Sequence, residues 1–305
     1  MSDPMSVASD PADPALDAAY EMVDDHVRRH DKDRWLAALY APREARRHLL
    51  ALYAFSAEIA RIRDVVSDPL PGEIRARWWA DMLAGARGDE GAGHPIAVAL
   101  VDTVRRFALP IEDLERLIEA RIFDLYDDAM PDLAALEDYC RDTSGTLIRL
   151  AARILADGRD LGIDEVAGHA GVAHGLTALM RGLPQHTARG QVFLPLDLMA
   201  RHGFERDDVL AGRRRGELAA ALAELRARAR GRLDATRRLI RTIPPEVAPA
   251  FLPVSLVDMC LQRMERPGFD PYRTPVESPQ WRRQLRLWRA ARRARRAARR
   301  YWHAV

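Results

Sequence analysis

Carboxylates three and four residues apart on a helix can share a face and hold a hard divalent cation, and the run Asp124, Asp127 and Asp128 after Arg121 has that spacing. The arginine fits equally with a negative exposed face, which is the expectation for this run. His26 and His30 lie four apart, the spacing of a two-histidine metal face, but no convincing third ligand is near them in sequence. A surface pair is expected. His169 and His174 lie five apart, about 500° around a helix, so they share no face and support no general base. Cys140 and Cys260 sit in separate apolar patterns and are expected as free buried thiols. These residues alone suggest no metal centre.

The elements that must position these groups are helical. Hydrophobic residues make up 48% of the 305 positions and charged residues 30%, a composition that excludes a core-poor disordered chain. Apolar residues recur at three- and four-residue steps, and no segment alternates as a strand would. The pattern predicts helices over 15–29, 33–40, 43–66, 71–86, 94–107, 111–128, 133–156, 164–181, 206–241 with a break near Gly212 to Gly216, 245–264 and 278–302. Pro42, Pro71, Pro95 and Pro245 suit first turns, and Asp132 suits a cap. Residues 1–14 read as a disordered N-terminus and not as a signal peptide, 15–277 as one helical domain, and 182–195 as an unstructured loop of functional size. No run of 18 apolar residues is present, so no membrane-spanning helix is expected.

Three ordered segments carry a family resemblance. Tyr40 to Phe55, running into Glu58 to Asp64, resembles the first aspartate-rich helix of the squalene/phytoene synthases. Tyr139-Cys140 through Ser144-Gly145 and Leu150 to Leu155 resembles a following helix of that family, and Gly175 to Pro195 resembles its second aspartate-rich segment. The resemblance covers roughly residues 20 to 265. It implies an all-α, single-domain trans-prenyl synthase (terpenoid synthase-like) fold around a central cavity.

In that family, Mg²⁺ ions held by two facing aspartate-rich helices bridge the substrate diphosphate. Here the matching positions of the first helix hold Ala60, Arg61 and Asp64, and those of the second hold Gly182 and His186, with Gln185 between them. No Asp or Glu occurs between Glu165 and Asp197. The family's arginine before the first motif matches Ala57, whereas Arg181 at the second is retained. The vestigial positions Ala60, Asp64, Gly182 and His186 therefore predict no confident catalytic residue, no metal and no cofactor. An active, Mg²⁺-dependent head-to-head prenyltransferase is the alternative, and a lipid carrier is a third reading.

A subgroup departs from the family in the same way. Ala54 to Asp64, Pro184-Gln-His, Val192 to Asp197, His202-Gly203 and Ala248 to Leu252 resemble the complex I assembly factors that carry a squalene/phytoene synthase-like domain. This implies a pseudoenzyme acting in assembly of respiratory complex I, with complex I subunits or assembly factors as partners and an isoprenoid or lipid in the inherited cavity. Arg61, Asp64, Arg181 and Arg189, with Phe55, Trp78 and Trp79, are the cavity or anion-binding candidates. Arg181, Arg189 and His186 could equally form a solvated basic loop, and Glu58, Arg61 and Asp64 an intrahelical ion-pair series.

Ten arginines fall between Arg282 and Arg300 with no acid after Gln280. Set against a whole-chain charge of +2, they leave about −8 for the remainder. Trp281, Leu285 and Trp288 share a face, with Trp302 near the end and arginines such as Arg292 and Arg296 around them. Such a basic amphipathic helix fits an anionic membrane surface, docking on the body, or nucleic acid, and no specific nucleic acid is expected. The expected location is cytoplasmic, peripheral on the inner face of the plasma membrane.

Overall fold

The computed structural model describes residues 13–66, 68–86, 91, 93–126 and 128–302, with side chains through residue 296. The expectation for residues 1–14 falls almost wholly outside this range, as do Asp127 and the side chain of Trp302. Every regular element among the described residues is helical: α1 (Pro14–His30), α2 (Lys32–Ala38), α3 (Arg43–Ala60), α4 (Ile62–Val65), α5 (Pro69–Leu83), α6 (Pro95–Phe107), α7 (Ile111–Ile122), α8 (Leu133–Cys140), α9 (Thr146–Leu155), α10 (Asp164–Arg181), α11 (Leu183–Ala188), α12 (Leu196–Arg201), α13 (Arg206–Leu210), α14 (Arg215–Leu239), α15 (Ala248–Phe251), α16 (Val257–Met264) and α17 (Gln280–Trp302).

Local chemistry sets several boundaries. Asp13 accepts the Ala15 N–H at 3.0 Å ahead of α1, and Asp31 accepts the Arg34 N–H at 3.0 Å at the start of α2. Asp132 accepts the Ala135 N–H at 2.8 Å, as its position suggested. Some expected helices are interrupted. The helix over 43–66 breaks at Arg61, whose N–H is shared between the Ala57 and Glu58 carbonyls at 3.1 Å. The helix over 133–156 passes through a π-type turn at Arg141–Gly145. The loop expected at 182–195 instead contains α11, started by Pro184 in its first turn and supported by the Thr187 hydroxyl donating to the Leu183 carbonyl at 2.9 Å.

α10 runs through the centre, packed against α14, α8, α9, α16 and the π-type turn. Its buried residues lie on nearly every side and are mostly small. A β-carbon at Gly171 would lie 2.3 Å from the Gly145 N and Cα, and one at Gly175 would lie 2.7 Å from the Cys140 sulfur. The helices therefore meet at backbone distance. Both cysteines are free, and burial pushes both thiols upward in pKa, which keeps them unreactive.

α17 docks on the body, but not through the stripe its large side chains suggest. Leu287 and Ala291 are buried against Leu36, Ala37, Leu252 and Leu256. The Arg283 guanidinium donates to Asp33 at 2.7 Å, and Arg286 donates to the Ser255 carbonyl at 3.1 Å. Trp281, Leu285 and Trp288 point outward, with Trp281 59% and Trp288 46% exposed, and Arg292 lies over the Trp288 ring. The seat is made by Leu36 and Ala37 of α2 with Leu252 and Leu256, and it takes Leu287 and Ala291 of α17. Among the described residues, no helix is long and apolar enough to cross a membrane.

The close crossing gives a direct test. Gly171→Val should destabilise the fold by about 3 kcal/mol or more, because the atoms in its way are backbone and cannot repack. Gly231→Ala, at an exposed site on α14 with nothing within 4 Å, should stabilise by up to about 1 kcal/mol. Urea denaturation of the two variants checks both signs.

Candidate functional site

The end of α3 and α4 faces the end of α10 and α11, where the two aspartate-rich segments of the resemblance would meet. The protein's own groups occupy this mouth. Asp64 of α4 forms an ion pair with Arg189, just beyond α11. Asp124 accepts the Tyr139 hydroxyl at 2.8 Å and the Arg121 guanidinium at 3.0 Å, while the Gln191 amide donates to the Asp124 carbonyl at 2.5 Å. His186 lies edge-on to Phe193 at 4.8 Å, and Phe193 is 5.8 Å from Tyr139. Gly182 leaves room for that imidazole where it lies, since a β-carbon there would lie 2.6 Å from its Cε1.

These residues do not fit a magnesium cluster. Ala60, Gly182 and His186 offer no hard anionic oxygen, and the Asp64 carboxylate is engaged by a guanidinium. Among the described residues, no group of three or more His, Cys, Asp or Glu is arranged to hold a metal ion. The electrostatics of the mouth rest on side-chain pairs instead. Burial raises the Asp124 carboxyl above its ordinary range, with nearby Asp64 adding to the rise and Arg121 and the Tyr139 hydroxyl opposing it. Burial, reinforced by Arg189 and Arg121, lowers His186 to about 4, so its ring is neutral near pH 7.

The expected cavity set is divided among separate places. Arg181 lies 3.5 Å from Asp33, and Arg189 is paired with Asp64, so the two do not converge on one anion. Arg61 donates to His30 at 2.9 Å, Glu58 is 3.3 Å from His26, and the intrahelical series Glu58, Arg61 and Asp64 is not formed. The break at Arg61 turns these side chains toward different neighbours. Phe55 is fully buried and packs edge-on against Trp79 at 5.2 Å, so it belongs to the core. Arg61, Trp78 and Trp79 do share a cavity, of about 270 Å³, with Glu58, Arg75 and His94. The expected pair His26 and His30 is present, with ring centres 4.5 Å apart.

Other groups escape a reading by spacing. Asp124 is buried and not part of a negative surface, because Tyr139 and Arg121 supply its hydrogen bonds; Asp128 is exposed. Glu137 of α8 is 3% exposed and gripped by Arg228 at 2.5 Å and by Arg232, both on α14, with Arg232 also 3.1 Å from His169. Asp31 pairs with Arg34, and the neighbouring His174 is shifted downward in pKa by burial and Arg34. Asp33 holds both Arg181 and Arg283. Asp31, Asp33 and Asp124 each have an arginine within three residues in the sequence, whereas the partners of Glu137 lie more than 90 residues away and leave no local signal.

Buried neutral imidazoles make stability depend on pH. His48, which accepts or donates at 2.8 Å to the Tyr20 hydroxyl, is lowered to about 4 by burial and Arg47, as His186 is by its surroundings. Below about pH 6.5 the unfolded chain takes up protons that these folded-state rings refuse, so stability falls as pH drops from about 6.5 toward 4. Between pH 7 and 5 each ring should cost on the order of 1–2 kcal/mol. Urea midpoints across that range check this, and His186→Gln should flatten the slope.

Comparison with known proteins places this geometry. A family model described as squalene/phytoene synthase matches residues 27–289. The chain is 30% identical over 251 residues to the mouse protein "NADH dehydrogenase (ubiquinone) complex I, assembly factor 6", covering 82% of this chain and 75% of that one. It is 31% identical over 209 residues to the phytoene synthase of Thermus thermophilus, covering 67% and 68%. Among solved structures, squalene synthase from Alicyclobacillus acidocaldarius superposes with a TM-score of 0.69 at 24% identity, covering 84% of this chain and 96% of that one. With its all-α, terpenoid synthase-like architecture and the matching segments in order, the chain belongs to the squalene/phytoene synthase family.

Proposed function

We propose that this chain is a catalytically inactive member of its family that acts in assembly of respiratory complex I. The observation that carries this reading is the state of the motif mouth. The one retained carboxylate, Asp64, is paired with Arg189, and the facing helix has no acid between Glu165 and Asp197. Ionising a prenyl diphosphate needs cations on its oxygens, and each missing carboxylate removes both a ligand and a balancing charge. The likeness to complex I assembly factor 6 over most of both chains supports the assembly role.

In this reading the protein works at a membrane surface beside complex I subunits or other assembly factors. The exposed Trp281, Leu285 and Trp288 on an arginine-rich helix support peripheral association. The likeness to phytoene synthase supports the competing reading, an active prenyltransferase.

Two measurements separate these. Purified protein incubated with farnesyl or geranylgeranyl diphosphate and Mg²⁺ should release no diphosphate above background; clear release overturns the inactive reading. Deleting the gene should lower NADH:ubiquinone oxidoreductase activity in membranes several-fold, restored by the wild-type gene and by Asp64→Asn. Unchanged activity in the deletion overturns the assembly role.

A further inference from the structure

A second cavity lies away from the motif mouth, beneath the C-terminal helix. Its volume is about 660 Å³, inside the roughly 300–1,000 Å³ of small-molecule sites, and it is bounded by the end of α14, the segment 243–255 and one flank of α17. Its inner wall is apolar, with Ile240, Ile243, Phe251 and Val254. Five guanidiniums also line it. Arg237 and Arg286 are held by Asp258, at 2.9 and 3.4 Å. Arg241, Arg289 and Arg293 line it too and have no carboxylate partner among the described residues.

We propose that this cavity binds one anionic phospholipid, its acyl chain against Ile240, Ile243, Phe251 and Val254 and its phosphate among Arg241, Arg289 and Arg293. Arg241, Arg289 and Arg293 are exposed at the rim of this apolar hollow, so their forks are hydrated and free to exchange that water for the oxygens of an anion. A phosphate offers several oxygens to several guanidiniums, whereas a single fork can saturate a carboxylate. That distinction favours a phospholipid over a fatty acid.

The direction of approach agrees. Leu285, Arg289 and Arg293 are spaced four apart, so the arginines of the cavity continue the exposed stripe that begins at Trp281. Exposed tryptophans settle at the headgroup level of a bilayer, which would bring the arginines to the depth of the phosphates. The opposite flank of α17 is committed to the body through Leu287 and Ala291. The helix thus seats on the protein by one side and presents lipid-binding groups on the other. This inference stands whether or not the chain assists complex I.

The test uses the full-length protein and monomeric lysophosphatidylglycerol below its micellar concentration, with lysophosphatidylcholine as the neutral control, read by titration calorimetry. One anionic lipid should bind per chain, tighter by about fourfold for each added methylene until the cavity is full. Arg241→Gln with Arg289→Gln and Arg293→Gln should weaken it at least tenfold. Ala294→Phe, which fills the cavity from α17, should abolish binding, while thermal melting confirms that each variant is folded. Arg282→Gln with Arg292→Gln, outside the cavity, should leave the monomeric lipid's affinity unchanged. Absent binding, equal affinity for the neutral lipid, or an unaffected Ala294→Phe overturns the site. Tighter binding of farnesyl diphosphate at the same residues overturns the phospholipid assignment.

Discussion

The backbone contact between α10 and the π-type turn at Arg141–Gly145 constrains most of what surrounds it. Gly171 meets Gly145 where no side chain fits, and Gly175 meets Cys140 one helical turn later. Helices that close have little rotational freedom, because their ridges are main chain and cannot adapt. The C-terminal end of α10 is thereby fixed, and with it Arg181, Gly182 and the start of α11. The π-type turn in turn sets Tyr139 of α8 at the height of Asp124 and Phe193. One contact made by glycines thus aligns the ends of several helices at the motif mouth.

At that mouth the electrostatics rest on a pair of opposite charges, Asp64 and Arg189. Facing carboxylates repel each other and call for cations, whereas a carboxylate facing a guanidinium is neutral by itself. The pairing of Asp64 with Arg189 and the packing of a neutral His186 on Phe193 are solutions of the second kind. Partial exposure of Asp64 and Arg189 makes their attraction modest, so most of the order here comes from Asp124, whose burial demands the Tyr139 and Arg121 hydrogen bonds. The mouth is organised by satisfaction of one buried acid.

Much of the helical frame was readable from periodicity and caps. The boundaries of α10 were legible because acids open it, an arginine closes it and small apolar residues fill it. The break at Arg61 and the π-type turn were not, because apolar spacing continues through both and the deviation lies in hydrogen bonding. Burial of Asp124 and Glu137 was hidden because their partners Tyr139, Arg228 and Arg232 come from other helices. The docking face of α17 was hidden for a different reason. Trp281, Leu285 and Trp288 dominate its hydrophobic pattern, whereas Leu287 and Ala291 pack beside α2. The absence of acids between Glu165 and Asp197 needed no geometry, being written in the residue identities.

Asp33 on the short α2 is shared by Arg181 of α10 and Arg283 of α17, at 3.5 and 2.7 Å. A carboxylate divided between two cations holds each less firmly than it would hold one alone. Drawing Arg283 away strengthens the hold on Arg181, and engaging Arg181 elsewhere tightens the seat of α17. By thermodynamic reciprocity these effects are equal in size. The outer helix and the arginine that closes α10 are therefore two arms of one balance, with Asp33 as its pivot.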